Sequence, residues 1–360
     1  MNLDDAALPT AEAQLAFLAK LQRLFAEGDF TATYKFALLI AFADLAVELG
    51  SDDGNELVLT TRQIGEKFID LYWKQSVIYG TGRHGSTPDV LIQNPGTQAV
   101  VVSAIKEFRA VVSASSPQVA SEHPAFHALL TTVTQTVSAQ PLKYLQNFGG
   151  STEEFLYDRP SPGRVCLKRG VAYCLRRFQP LVQQIARSHW LAHVKGNRFN
   201  KSILGDADDL EEFLFAAPRQ SLLALGAALQ KLDGKACFYC GFAMSTVDVD
   251  HFVPFAQYPR DLVHNFVLAH PGCNRSKSDA LAGKRHLEHW IHRLTRRDDD
   301  LSGIGRSVGM VADATVSRKV AAWGYKNVLA SAGSAWLAPQ KYEQVDASHV
   351  ECCFPLEHRG

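Results

Sequence analysis

The sequence has no stretch able to cross a bilayer, no excess of charge of either sign, no internal repeat that stands out and no low-complexity tract. Its longest apolar run, Phe36 to Leu49, is too short for a span and carries Asp44 and Glu48. The opening MNLDDAALPT is acidic and lacks the basic and apolar segments of a secretory leader, so a cytoplasmic protein with no membrane attachment is expected. Lys+Arg and Asp+Glu both number 37, so whole-chain charge does not favour a nucleic-acid partner, and one must be argued from local charge. What is present is 360 residues, enough for two or three domains. A hydrophobic content of 46% with 21% charged residues excludes wholesale disorder. Cysteine is unevenly spread, seven in all, and in a cytoplasmic chain paired cysteines point to metal before disulfide.

Helical periodicity dominates the first part. Leu15, Leu18, Leu21 and Leu24/Phe25 recur at three- to four-residue spacing, as do Phe36, Ile40, Leu45 and Val47/Leu49 before Gly50 and SDDGN end the segment. A third helix opens at Thr60/Thr61 with Ile64, Phe68, Leu71 and Tyr72. The stretch TTRQIGEKFIDLYW faintly resembles a helix-turn-helix element, against the simpler reading of an amphipathic core helix. Residues 80–97 read as loop, helices resume over 98–112 and 126–137, and the Pro, Gly and Ser of 141–163 mark an inter-domain seam.

Local charge appears next. Residues 159–201 hold ten Lys/Arg, among them Arg169, Arg176 and Arg177, and no acidic residue. Val171, Leu175, Phe178, Val182 and Ile185 run at helical spacing through them, with Pro180 forcing a kink or restart. The result is a helical region with an apolar and a cationic face, either solvated or in contact with phosphates. The acidic run GDADDLEE follows and is placed to fold against that face.

The chemistry is concentrated in residues 236–283. Cys237-x2-Cys240 and His270-x2-Cys273 supply four ligands at the spacing that tetrahedral zinc requires, with no open position, so a structural Zn²⁺ is expected. The competing reading is a redox dithiol at Cys237 and Cys240. Cys166, Cys174, Cys352 and Cys353 have no complementary pair and read as plain thiols. Nested within the segment are Asp248-Val249-Asp250-His251, then Asn265, then Asn274-Arg275-Ser276-Lys277-Ser278. A strand is expected to end near His251–Pro254, a second to cover Phe266–Ala269, and a helix to cover Asn274 to Leu281. An imidazole titrating near neutrality suits water activation, and a carboxylate-bound divalent ion suits charge stabilisation at phosphorus.

Together, the CxxC, DVDHFVP, HN and CNRSKSD elements resemble the HNH (His-Me finger, ββα-metal) endonuclease family in its zinc-knuckle form. The resemblance covers about fifty residues. It implies His251 as general base, Asp250 and Asn274 as ligands of a catalytic Mg²⁺ or Mn²⁺, and Asn265 as the residue that orients the base. It further implies Lys277 near the phosphate and Cys237, Cys240, His270 and Cys273 around zinc, with HxxC standing where the family commonly has CxxC. Among neighbouring residues, Asp248 reads as a strand residue facing solvent or supporting a ligand, and His264 as loop surface. Arg260 and Arg275 are candidates for phosphate contact. His286, His289 and His292 form a stripe read as solvated or nucleic-acid-facing rather than metal-binding, and Trp290 reads as core.

The expected fold is mostly α. A helical N-terminal domain (1–140) and a basic helical segment (141–230) precede a ββα-metal module with its zinc knuckle (231–285), and a helical C-terminal region (286–360) follows. The expected function is DNA hydrolysis giving 5′-phosphate and 3′-hydroxyl ends, by analogy in bacterial restriction or anti-phage defence, with an accessory protein or a second copy as partner. The alternatives are a zinc-stabilised nucleic-acid-binding or scaffold protein that does not cut, and an enzyme that cleaves RNA.

Overall fold

The structure is a computed structural model that describes residues 8–80, 87–205, 209–216 and 219–354. The chain is mostly helical, and it divides into two compact units: Met1–Ser113 with Ala120–Phe215, and Ala114–Val119 with Ala216–Gly360. Among the described residues no helix is long and apolar enough to cross a membrane.

In the first unit, helix α1 (Ala11–Glu27) is capped by the Thr10 side chain and buries Phe17, Leu21, Leu24 and Phe25. Helix α2 (Tyr34–Leu49) is apolar all round and is therefore covered on every side, with Tyr34 through Glu48 buried. Its acidic residues are met inside: the Gln179 and Gln183 amides donate to Asp44 (3.2 and 2.7 Å), and Lys67 Nζ lies 2.6 Å from Glu48. Strand β1 (Leu57–Thr60) leads into α3 (Thr61–Trp73), which opens with a reciprocal Thr60–Gln63 capping box. Ile64, Phe68, Ile69 and Tyr72 are fully buried, and only a three-residue 3-10 turn follows, so α3 is a core helix and not half of a helix-turn-helix. Helices α4 (Val100–Val111) and α5 (Phe126–Ala139) occupy the segments expected. Residues 141–163 fall inside this unit, where β2 (Tyr157–Asp158) pairs with β3 (Arg164–Leu167), which also pairs with β1. The basic segment forms α6 (Val171–Arg177) and α7 (Gln179–Gly196), with Pro180 in the first turn of α7, where its missing N–H costs nothing. Of the expected 80–97 loop, residues 81–86 lie outside the described residues, as do Asp206, Ala207 and Asp208 of the acidic run. Asp209 accepts from the Tyr79 hydroxyl at 2.8 Å.

The second unit begins with α8 (Arg219–Asp233) and a tight turn at Cys237–Gly241. Strands β4 (Asp248–His251) and β5 (Phe266–Ala269) then pair antiparallel, with Asp248 opposite Ala269 and His251 opposite Phe266. Helix α8 lies close on this hairpin: a Cβ at Gly226 would come within 3.0 Å of Val249 Cγ2. The next helix, α9, spans Pro271–Lys277 rather than Asn274 to Leu281. Pro271 fixes the first turn directly after His270, and Ser278 adopts a left-handed φ of 48°, which stops the helix there. Helices α10 (Lys284–Arg296), α11 (Asp298–Val308) and α12 (Ala314–Ala330) follow. The C-terminal region is helical up to Ala330, as expected, and then adds a hairpin of β6 (Ser334–Ala338) and β7 (Lys341–Gln344). Its position is set by tertiary pairing: Trp336 N donates to Leu281 O and Gly283 N to Trp336 O, both at 2.7 Å. Residues 114–119 join this unit through Gln118, whose side chain exchanges two hydrogen bonds with the Ala312 backbone. The tail is described to Phe354.

Candidate active site and metal cluster

Cys237, Cys240, His270 and Cys273 each offer one ligand atom, and the four atoms lie within 4.8 Å of one another. The turn that presents the first pair is closed by Gly241 N donating to Cys237 O (2.9 Å), with Gly241 at φ 75°, a value that suits glycine. The second pair sits at the start of α9, one ligand either side of Pro271-Gly272. His270 Nδ1 faces Cys240 Sγ at 3.3 Å while Nε2 is hydrogen-bonded to Ala243 O at 3.2 Å, which fixes the ring with Nδ1 toward the cluster. Burial opposes the Cys237 thiolate, but the N–H groups of Cys240, His270 and Tyr239 outweigh it and bring the thiol down to about 7. Burial and the neighbouring Cys237 push Cys273 up to about 12. Three sulfurs and an imidazole nitrogen this close, with no cation of the protein among them, match the donor set and span of a tetrahedral zinc site. The remaining four cysteines are unpaired, Cys174 and Cys353 buried and Cys166 and Cys352 half-buried.

Two links join β4 to α9. Asn274 Nδ2 donates to Asp248 Oδ2 at 3.1 Å, and one turn further along, Lys277 Nζ sits 3.1 Å from Asp250 Oδ2 and donates to His251 O at 2.8 Å. Asp248 and Asp250 share one face of the strand, as its period of two requires. Asp250 is 7% exposed and also accepts from the Tyr239 hydroxyl at 2.5 Å. Burial raises the Tyr239 hydroxyl well above its ordinary value, and the Asp250 charge adds to the effect. Lys277 is buried rather than presented to solvent, and that burial lowers its ammonium against the pull of Asp250. The structure thus brings Asn274 into contact with Asp248, and Asp250 into contact with Lys277 and Tyr239.

His251 ends β4 with its ring against Phe266 (4.2 Å between centroids) and Phe255 (5.3 Å). Its Nε2 is hydrogen-bonded to Asp261 Oδ1 at 2.8 Å, and its side chain is 20% exposed. Asn265 does not touch the imidazole. It clamps the backbone two residues on, accepting from Val253 N (2.8 Å) and donating to Val253 O (2.9 Å), while its own carbonyl accepts from Phe252 N (2.7 Å). Sequence reasoning passed over Asp261 and Tyr239. Neither follows from spacing: one lies in an irregular loop ten residues after the histidine, the other between Cys237 and Cys240, and only the folded contact singles them out.

Several expectations need correction. His264, read as loop surface, is fully buried, with Nε2 2.9 Å from Asp298 and its backbone carbonyl accepting from Trp290 Nε1 at 3.0 Å. Arg176, read as a phosphate contact, is 5% exposed. Its guanidinium is bonded to Asp52 and to the Ala46 and Val47 carbonyls at the end of α2. Arg169 and Arg275 are exposed, and Arg177 and Arg260 are half-buried. Trp290, in contrast, is the core residue it was read as, fully buried and stacked on Phe252 (4.5 Å, 8°). The histidine stripe does not converge: His286 is buried with Nε2 at the Leu337 carbonyl, while His289 and His292 are exposed.

Residues 14–211, more than half of the chain, match the family described as Domain of unknown function (DUF8808). Residues 237–282 match the family described as HNH endonuclease, and the resemblance read from the motifs stands as an HNH domain in its zinc-knuckle form. No curated protein matches the chain, and no solved structure does.

Proposed function

We propose that this chain, which belongs to the family of that domain of unknown function and carries an HNH endonuclease domain, is a metal-dependent endonuclease that hydrolyses DNA phosphodiester bonds. The observation that carries the reading is the partly exposed His251 gripped by Asp261 at the end of the strand whose carboxylates face α9. In this reading His251 takes a proton from water as the water oxygen bonds to phosphorus. The bond from phosphorus to the 3′ oxygen breaks with its electron pair going to that oxygen, which takes a proton from solvent water, giving 5′-phosphate and 3′-hydroxyl ends. Asp261 holds the Nε2 proton, so that Nδ1 carries the accepting lone pair. Asn265 holds the backbone behind the imidazole and so sets its position.

Asp250 and the Asn274 amide, with Asp248 beside them, are oxygen donors of the type that Mg²⁺ or Mn²⁺ takes. By accepting from the amide nitrogen, Asp248 leaves the Asn274 oxygen as the atom turned to a cation. When bound, the ion supplies positive charge for the phosphorane and the leaving oxygen. Lys277 is the counter-charge of Asp250 in this structure and must release it for Asp250 to serve as a ligand, which places its ammonium beside the incoming phosphate. Arg275, Arg169 and Arg177 are the remaining phosphate contacts of the reading, and the quartet of Cys237, Cys240, His270 and Cys273 holds the structural zinc.

A role in restriction or anti-phage defence in the cytoplasm, with an accessory protein or a second copy gating cleavage, belongs to the same proposal. The buried Lys277–Asp250 pair favours one alternative, a zinc-stabilised binding protein whose module does not cut. Purified protein assayed on supercoiled plasmid, linear duplex, single strands and RNA, with and without Mg²⁺ or Mn²⁺, separates the readings. Metal-dependent nicking of DNA is expected. Binding without cleavage of any substrate would assign the alternative, and cleavage confined to RNA would move the substrate.

A further inference from the structure

Helix α10 leaves the HNH domain with its two faces sharply divided. Leu287, Trp290, Ile291 and Leu294 are buried against the domain, whereas Arg285, His289, His292 and Arg296 are exposed at spacings of four, three and four residues. Those spacings put all four on one stripe about 16 Å long, which exceeds several phosphate steps along one DNA strand. The stripe forms one wall of a groove of about 670 Å³ whose other wall is the Cys237–Gly241 turn.

The groove is strongly one-signed. Among its described lining residues are four arginines and one carboxylate, Asp233, which is already bonded to the buried Arg293 at 2.7 Å. Arg285 is anchored by a hydrogen bond to Leu337 O (2.9 Å), so its guanidinium is positioned and still exposed. Arg297 pairs with the exposed Asp300 at 3.2 Å, a pair that water screens and a ligand can displace. His289 lies flat on Phe238 (4.6 Å, 2°), which fixes the middle of the stripe. A soluble protein gains no stability from massing like charges along one groove, so this arrangement is explained by an anionic occupant.

We infer that the α10 groove binds the sugar–phosphate backbone of DNA and seats the strand beside the zinc knuckle. The inference rests on the nuclease reading for its choice of polyanion, and it adds a binding surface on α10 to the phosphate contacts of that reading. Trp290 is the rigid link: its ring stacks on Phe252, the residue after His251, so the groove and the catalytic strand share one packed core.

The test uses the full chain carrying His251→Ala, so that binding is read without cleavage, and a short fluorescein-labelled DNA duplex followed by anisotropy across a salt series. The added pair Arg285→Ala and Arg296→Ala should weaken binding about tenfold and lower the slope of log affinity against log salt by about two, one per lost phosphate contact. Melting temperature and zinc content confirm that the variant is folded. Should these be depressed, His292→Gln, at an exposed position, replaces the pair with a smaller expected loss. A folded variant with unchanged affinity and slope overturns the inference. So does a variant that loses poly-glutamate binding while keeping DNA binding, which would give the groove to an acidic protein. Hydrolysis of a small chromogenic phosphodiester by the unaltered protein tests the nuclease reading separately, because that substrate is too short to need the groove.

Discussion

Two buried cations, one in each unit, invite comparison. Arg176 lies on Asp52 at 2.7 Å and Lys277 on Asp250 at 3.1 Å, and both side chains are almost wholly enclosed. Their surroundings differ. Arg176 also donates to the Ala46 and Val47 carbonyls, closing the C-terminal end of α2, so its donors are consumed by the fold. Lys277 stands among oxygen donors that exceed what one ammonium needs: Asp250, the His251 carbonyl, and the Asp248–Asn274 pair one turn away. A cation that ends a helix is part of the scaffold, whereas one resting in a nest of hard oxygen ligands holds a place that another cation can take.

Mutation separates the two cations and ranks them against the other groups of the site. The largest effect is expected outside both pairs, at the knuckle: Cys240→Ala should unfold the HNH domain, seen as loss of bound zinc and of protease resistance, since zinc in small modules contributes about 10 kcal/mol or more. Loss of cleavage with full zinc content would contradict the ligand assignment. Next, His251→Ala should slow plasmid nicking by about a hundredfold to ten-thousandfold with melting temperature unchanged. Undiminished nicking would assign the base elsewhere. The two cations themselves come third. Without added Mg²⁺, Lys277→Met should cost about 3–5 kcal/mol by leaving the buried Asp250 carboxylate without its cation, and Arg176→Ala should also destabilise, by leaving the Ala46 and Val47 carbonyls without their donor. Added Mg²⁺ should restore the melting temperature of Lys277→Met and leave that of Arg176→Ala where it was, and equal behaviour of the two would erase the distinction drawn above. The smallest effect is expected at Asp261: Asp261→Asn should slow cleavage by about tenfold to a hundredfold with little change in stability, and Asp261→Glu should recover part of the loss. An Asn variant as fast as the unaltered protein would remove Asp261 from the site.

Much of this molecule was legible from one-dimensional pattern. Ligand pairs at three-residue spacing, the period of α3, and the restart of the basic helix at Pro180 are all local signals, and each appears where local chemistry puts it. Contacts that depend on chain closure were not legible. Asp261 meets His251 across an irregular loop, Tyr239 reaches Asp250 from the knuckle, and Arg176 reads as one more surface cation until α2 is seen beneath it. The β6–β7 hairpin is of the same kind, since it is placed by backbone pairing to residues 281–283 and not by any strong alternation of its own. His264 shows the converse: a polar residue in a short connecting stretch is drawn into the core because α10 packs over it.

The indole of Trp290 touches the chain at two points of consequence, its ring on Phe252 and its nitrogen at the His264 carbonyl. One of these follows the imidazole in sequence and the other precedes the asparagine that clamps the Val253 backbone. A single side chain therefore keeps the two strand ends in fixed separation, and trimming it would let them drift apart while every reactive group stayed in the sequence. The domain would then be complete in its parts and slack in its aim.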